Sequence, residues 1–154
     1  MMRDAADLPM GGRFVGAEHR FACRVYFEDT DLSGVVYHVN YLRWMERARS
    51  DMLRLAGIDQ RGFHEAGEGT YAVASLAIRY ARPARLDDDV LVVSRVRRVA
   101  AASVVIHQAV RRGDDLLAEA DVTAALVAAS GRPRRQPRDW TDIFQRLARE
   151  AEHA

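Results

Sequence analysis

The 154-residue sequence contains a single cysteine, Cys23, so no disulfide can close within the chain. Cys23 lies in a strand-like apolar run, where a thiol acts as small apolar filler. Net charge is also nearly absent: 23 basic residues against 22 acidic ones leave +1, and no overall field favours nucleic acid or an anionic membrane as partner. Any anion site must therefore be local. No stretch approaches the roughly 20 apolar residues that span a bilayer, and the opening MMRDAADLPMGGRF has acidic residues but no apolar centre of signal-peptide length. The expectation is a cytoplasmic protein without a membrane span. A phosphate-cradling Gly-rich loop ending in Lys-Ser/Thr, a Gly-x-Ser-x-Gly elbow and a cysteine-rich zinc pattern are all missing, so the chemistries they carry have no support here.

What is present is an ordinary globular composition, 49% hydrophobic, on a chain long enough for one domain and too short for a second. Residues 1–18 combine Asp4, Asp7, Pro9, Gly11, Gly12 and Gly16 without periodicity and read as a mobile N-terminal arm. From Phe21 the pattern alternates, with Phe21, Cys23, Val25 and Phe27 on one face of a half-buried strand. After a turn-forming run from Glu28 to Gly34, the apolar residues Leu42, Met45, Met52, Leu53 and Ala56, together with Arg49, recur at helical steps, widened by Tyr41, Trp44 and Ala48. Arg43, Arg47 and Arg54 occupy the polar side, and Gly57 supplies a left-handed stop. This pattern predicts a long helix enclosed by something large. Strands follow over 71–80, 90–99 and 103–111. The segment LLAEADVTAALVAAS suits helix by its alanines and strand by Val122, Thr123 and Val127, and its place after the turn Gly113–Asp115 favours a strand. PRDWTDIFQRLARE reads as a terminal helix presenting Trp140, Ile143, Phe144 and Leu147. The expected division is an arm over 1–18, a main α+β domain over 19–136, and a C-terminal helix and tail over 137–154.

The densest group of polar, turn-forming and titratable residues lies from Glu28 to Tyr41, between the first strand and the long helix. A helix start offers backbone N–H groups without intrahelical partners, which polarise a carbonyl or stabilise an oxyanion. A carboxylate beside it can attack that carbonyl or take a proton from water. Asp29 and Asp31 are the candidates, although Asx-turn bonding accounts equally well for aspartates in a strand-to-helix turn. His38, at the helix entry, is open to a capping or core role as well as a catalytic one. Asp29, Asp31, Ser33 and Gly34 also match the opening of a calcium-binding loop, but position twelve is Asn40 and a strand precedes the loop where a helix is required.

The stretch RVYFEDTDLSGVVYHVNYLRWMERARSDMLR, with the later YARPARLDDDV, resembles the signature of the Tol-Pal-associated acyl-CoA thioesterases, a branch of the 4-hydroxybenzoyl-CoA thioesterase family. The resemblance runs from about Arg20 to Gly131. It implies a hot-dog fold, a curved antiparallel sheet of about five strands around one long central helix, assembled as a homodimer or homotetramer. It implies an acyl-CoA substrate, with an acyl carrier protein thioester as a second form, and no metal or organic cofactor. On the matching positions, Asp31 becomes the catalytic carboxylate, and His38 orients or polarises the thioester through its side chain and backbone N–H. Asp29 becomes a brace for the loop. Tyr37, Val39 and Tyr41 fall on the substrate side. Leu32 and Ser33 depart from the small residues usual after the aspartate, and Asn40 stands where a smaller residue is common; both bear on acyl preference.

CoA phosphates need local cations, for which Arg97, Arg98, Arg132, Arg134 and Arg135 are the sequence candidates. Two other readings compete: a hot-dog hydratase or dehydratase with His38 as base, and a non-enzymatic module binding acyl thioesters beside cell-envelope machinery.

Overall fold

The computed structural model describes residues 2–153. Its strands are β1 (Arg13–Val15), β2 (Glu18–Arg24), β3 (Thr70–Tyr80), β4 (Asp89–Val99), β5 (Ser103–Arg112) and β6 (Asp115–Val127). Its helices are α1 (Val39–Leu55), α2 (Gln60–Glu65) and α3 (Arg138–Glu152). The strands form one antiparallel sheet in the order β1-β2-β4-β5-β6-β3. Register shifts place an extra residue in β3, β4 and β6, bulges of the kind that bend a sheet over a helix. The arrangement is the α+β hot-dog fold.

The alternation read from the sequence fixes the sheet's inner face. Val90, Val92, Ser94 and Val96 of β4 face inward with Val104, Ile106, Gln108 and Val110 of β5, all buried. Onto this face α1 presses Tyr41, Trp44, Met45, Ala48, Met52 and Leu53, which is the broad stripe its spacing requires. Gly57, with φ at +93°, ends the helix in a backbone region that an L side chain rarely adopts. At the far end, α3 buries Trp140, Phe144 and Leu147 against Met52, Leu53, Val96 and Ile106.

Two expectations are corrected. Residues 1–18 are not an unpatterned arm throughout, because Arg13–Val15 pairs with β2, Ala17 is buried, and Gly12 N–H donates to Asp51 Oδ2 at 2.9 Å. The sheet thus gains a sixth strand beyond the five expected. Phe27 does not continue the face of β2: the strand stops at Arg24, and Phe27 begins a 3-10 turn with its ring exposed. The short helix α2, opened by Asp59 accepting from Gly62 N–H, was not expected at all.

Candidate active site

The segment from Tyr26 to Asn40 is held in shape by its own backbone. Asp29 Oδ2 accepts from Tyr26 N–H at 2.9 Å, while Asp29 O accepts from Tyr37 N–H at 2.8 Å and from Asn40 Nδ2 at 2.9 Å. Asp29 is therefore the brace, and buried Asn40 is the peg that fastens the loop to the first turn of α1. Asp31 N–H donates to Val35 O and Gly34 N–H to Asp31 O, both at 3.0 Å, closing a turn that needs the φ of +82° at Gly34. A second strand of contacts ties the loop to the segment before β4, where Val36 N–H donates to Ala84 O at 2.9 Å.

This frame presents Asp31 in the open. Its Oδ1 accepts from the Ser33 hydroxyl at 2.5 Å and from Ser33 N–H at 2.8 Å. Those two bonds favour the ionised form and hold the carboxyl below its ordinary range; His38 adds a smaller electrostatic pull in the same direction. Asp31 is thus a ready carboxylate with its other oxygen uncommitted. The structure gives Ser33, a departure from the familiar motif, a defined part as donor to Asp31.

His38 is the N-cap of α1 but makes no side-chain cap bond. Its exposed ring meets Tyr37 edge-on at 4.7 Å and Tyr80 at 6.1 Å between centroids. Tyr37 N–H and Asn40 N–H are both committed, whereas among the described residues His38 N–H and Val39 N–H have no protein acceptor. They are the donors this helix end can offer a carbonyl oxygen. Behind them a cleft of about 300 Å³ is lined by Val36, His38, Tyr41, Tyr80, Arg82 and Pro83 among others. Tyr41 is buried and its hydroxyl accepts from Ala84 N–H at 2.8 Å, so it shapes the cleft floor. Val39 is half-buried and Tyr37 exposed at the rim.

The arginines picked from the sequence are not gathered here. Arg97 and Arg98 lie at the far end of β4, eight or nine residues and roughly 27–30 Å beyond the start that adjoins this loop. Arg97 is also engaged, donating to both carboxylate oxygens of Asp121 at 3.0 and 3.1 Å. Arg134 pairs with Glu68 and covers the Phe63 ring at 4.7 Å. Arg132 and Arg135 are exposed beside it in the chain. Sequence reasoning missed Tyr80, whose hydroxyl donates to His38 O at 3.0 Å across 42 residues, and Arg82 in the cleft wall. Tyr80 carried no local signal, since only strand pairing brings it to the helix start.

Asp31 can act as nucleophile or base only when ionised, so a rate that depended on it would show an acid limb below the ordinary carboxylate range of about pH 3.9. Ser33→Ala removes the larger of the two bonds that depress it, and the limb of kcat/KM should move to higher pH, partially, since the Ser33 N–H bond remains. A limb that stays in place would assign it to another group.

Residues 33–119 match the family model described as thioesterase superfamily. The chain is 40% identical over 107 residues to acyl-CoA thioesterase YbgC of Haemophilus influenzae, covering 70% of this chain and 79% of that protein. It is 36% identical over 128 residues to acyl-CoA thioester hydrolase YbgC of Escherichia coli O6:H1, covering 82% and 95%. Among solved structures, a probable thioesterase from Bartonella henselae superposes with a TM-score of 0.74 at 36% identity, covering 78% of this chain and 99% of that one.

Proposed function

We propose that this chain, which belongs to the thioesterase superfamily, hydrolyses acyl-CoA to free acid and CoA thiol with Asp31 as nucleophile or general base and the start of α1 as the carbonyl's electrophilic support. The family membership rests on the matched model and the two relatives above. The observation that carries the assignment of roles is the conjunction on one rigid loop of an exposed, pre-ionised carboxylate and a helix end with two uncommitted N–H groups.

The chemistry needs little more. A thiolate leaves readily, so the barrier falls chiefly when the thioester carbonyl is polarised and a nucleophile is held against it. With His38 N–H and Val39 N–H on the carbonyl oxygen, the free oxygen of Asp31 can either add to the carbon, expelling the thiolate and leaving a mixed anhydride for water to open, or draw a proton from an attacking water. Both routes end in the same acid and thiol. The imidazole of His38, packed edge-on against Tyr37 and Tyr80, orients the thioester beside these groups. Small and medium acyl groups are the substrates proposed, on CoA or on an acyl carrier protein.

The test is a panel of acyl-CoA thioesters with release of free thiol as readout. Turnover of saturated acyl-CoA supports hydrolysis, while hydration of enoyl-CoA without thiol release would replace it by the hydratase reading.

The same reading includes assembly. Strand β3 is at the sheet edge, and Ala72, Val73, Ala74, Ser75 and Ala77 are exposed along it. An open edge of this kind is normally paired or covered. A homodimer or homotetramer is expected in sedimentation at micromolar concentration, and a purely monomeric boundary would contradict it.

A further inference from the structure

Arg49 sits in the middle of the apolar stripe of α1, 9% exposed, at the end of a buried chain of hydrogen bonds. Its Nη1 donates to Gln108 Oε1 at 2.8 Å, and Gln108 Nε2 donates to Met45 O and Ser94 Oγ, each at 2.9 Å. Gln108 is thus fully occupied in holding the guanidinium by one corner. Among the described residues Arg49 makes no other hydrogen bond and no ion pair. Burial disfavours its charge, with only a weaker opposing pull from Glu46. A guanidinium placed this way is costly without an anion, because it offers five N–H donors in a fixed fork and only one has a partner.

What it faces is a cavity of about 80 Å³ lined by Arg49, Leu53, Tyr71, Val73, Val104 and Ile106 among others, large enough for more than one water-sized group. The cavity opens at the surface, where exposed Glu46, Ser50, Ala72 and Val73 form its rim beside β3. At Ser50 and Gln60 it adjoins a wider groove of about 590 Å³ that runs past Arg54, Ile58 and His64. The lining is part aliphatic and part polar, with the Glu46 carboxylate at the mouth, and Arg49 is the one cation in it. That chemistry suits methylene groups ending in a single negative charge; a phosphate dianion would call for a second cation.

We infer that the Arg49 cavity is a subsite for the far end of an acyl group that terminates in a carboxylate, held by the guanidinium fork. The inference rests on the acyl-CoA reading of the Asp31 site and names a substrate class for it: thioesters of dicarboxylic acids. Along one helix, Arg49 lies eleven residues from His38, or about 16 Å, which sets the scale of chain to be tried.

The experiment compares ω-carboxyacyl-CoA with methyl-ended acyl-CoA at matched lengths from four to fourteen carbons. At one length or more, kcat/KM should favour the carboxylate by about ten- to a hundredfold, as a charge-assisted fork implies. In Arg49→Met that ratio should fall to about unity or below. A wild-type ratio near one at every length overturns the subsite, while hydrolysis of the methyl-ended series leaves the thioesterase reading intact. If no thioester is hydrolysed, the thioesterase reading fails instead. Calorimetry on wild-type protein with non-hydrolysable ω-carboxyalkyl and alkyl thioethers of CoA then still decides the subsite, without turnover and without depending on folding of the variant. Tighter binding of the carboxylate member supports it, and equal binding overturns it.

Discussion

Asp31→Asn is expected to lower kcat by about a thousandfold while leaving the melting temperature within a few degrees of the wild type. The amide can neither add to the thioester nor accept a proton from water, and loss of a positioned acid or base typically costs a factor of about a hundred to ten thousand. Stability should be spared because Asp31 is solvent-exposed and the loop is held by Asp29, Asn40 and Val36 rather than by its side chain. The amide oxygen can still accept from Ser33 N–H, keeping the turn. Asp29→Asn makes the contrast: its side-chain bond to Tyr26 N–H and its carbonyl bonds survive in weaker form, so the change should act through loop order and stability. Abolished turnover in Asp29→Asn at unchanged melting temperature, with Asp31→Asn still active, would reverse the two aspartates.

Phe144→Ala should be the most damaging of the substitutions considered for stability, by about 3–5 kcal/mol. Phe144 has no exposed surface and joins the cluster of Met52, Leu53, Val96, Ile106 and Leu126. Removing its ring leaves a void bounded by α1 and the sheet, which packed neighbours fill only in part. Chemical denaturation of purified protein measures the loss directly. A change below about 1 kcal/mol would mean that α3 is a dispensable appendage to the domain.

The parts of this molecule that the sequence displays are those set by local period. The alternation at 90–99 and 103–111 returned as β4 and β5 within one residue at the ends, and the broad apolar stripe of α1 called for something large around it, which is the sheet. The ambiguous 116–130 segment became β6 because its neighbours β5 and β3 supply ladder bonds that alanine's helix preference does not outweigh. Features that carry no period of their own were hidden. Three residues of β1 make a strand only by pairing with β2, and Gly12 and Gly11, which look like loop composition, are close against Asp51 and, for Gly12, His19. In the site, the carboxylate and helix start were legible as a loop pattern, but Tyr80 and the peg action of Asn40 were not. For Arg97 and Arg98 the sequence shows charge and type suited to a phosphate, and only the structure shows their place along β4, far from Asp31. Arg49 was visible within the helical stripe, and only its burial without an anion gave it meaning.

The measurement that bears most directly on a carboxylate-driven site is kcat/KM for wild type, Asp31→Asn and His38→Ala on one acyl-CoA from pH 5 to 9. If α1 supplies the oxyanion donors through backbone N–H, removing the imidazole leaves them in place. The loss in His38→Ala should then be smaller than that in Asp31→Asn, and the wild-type profile should show no acid limb in the ordinary imidazole range near about pH 6.5. A larger loss in His38→Ala, together with a near-neutral limb that vanishes in that variant, would contradict it and make histidine the base.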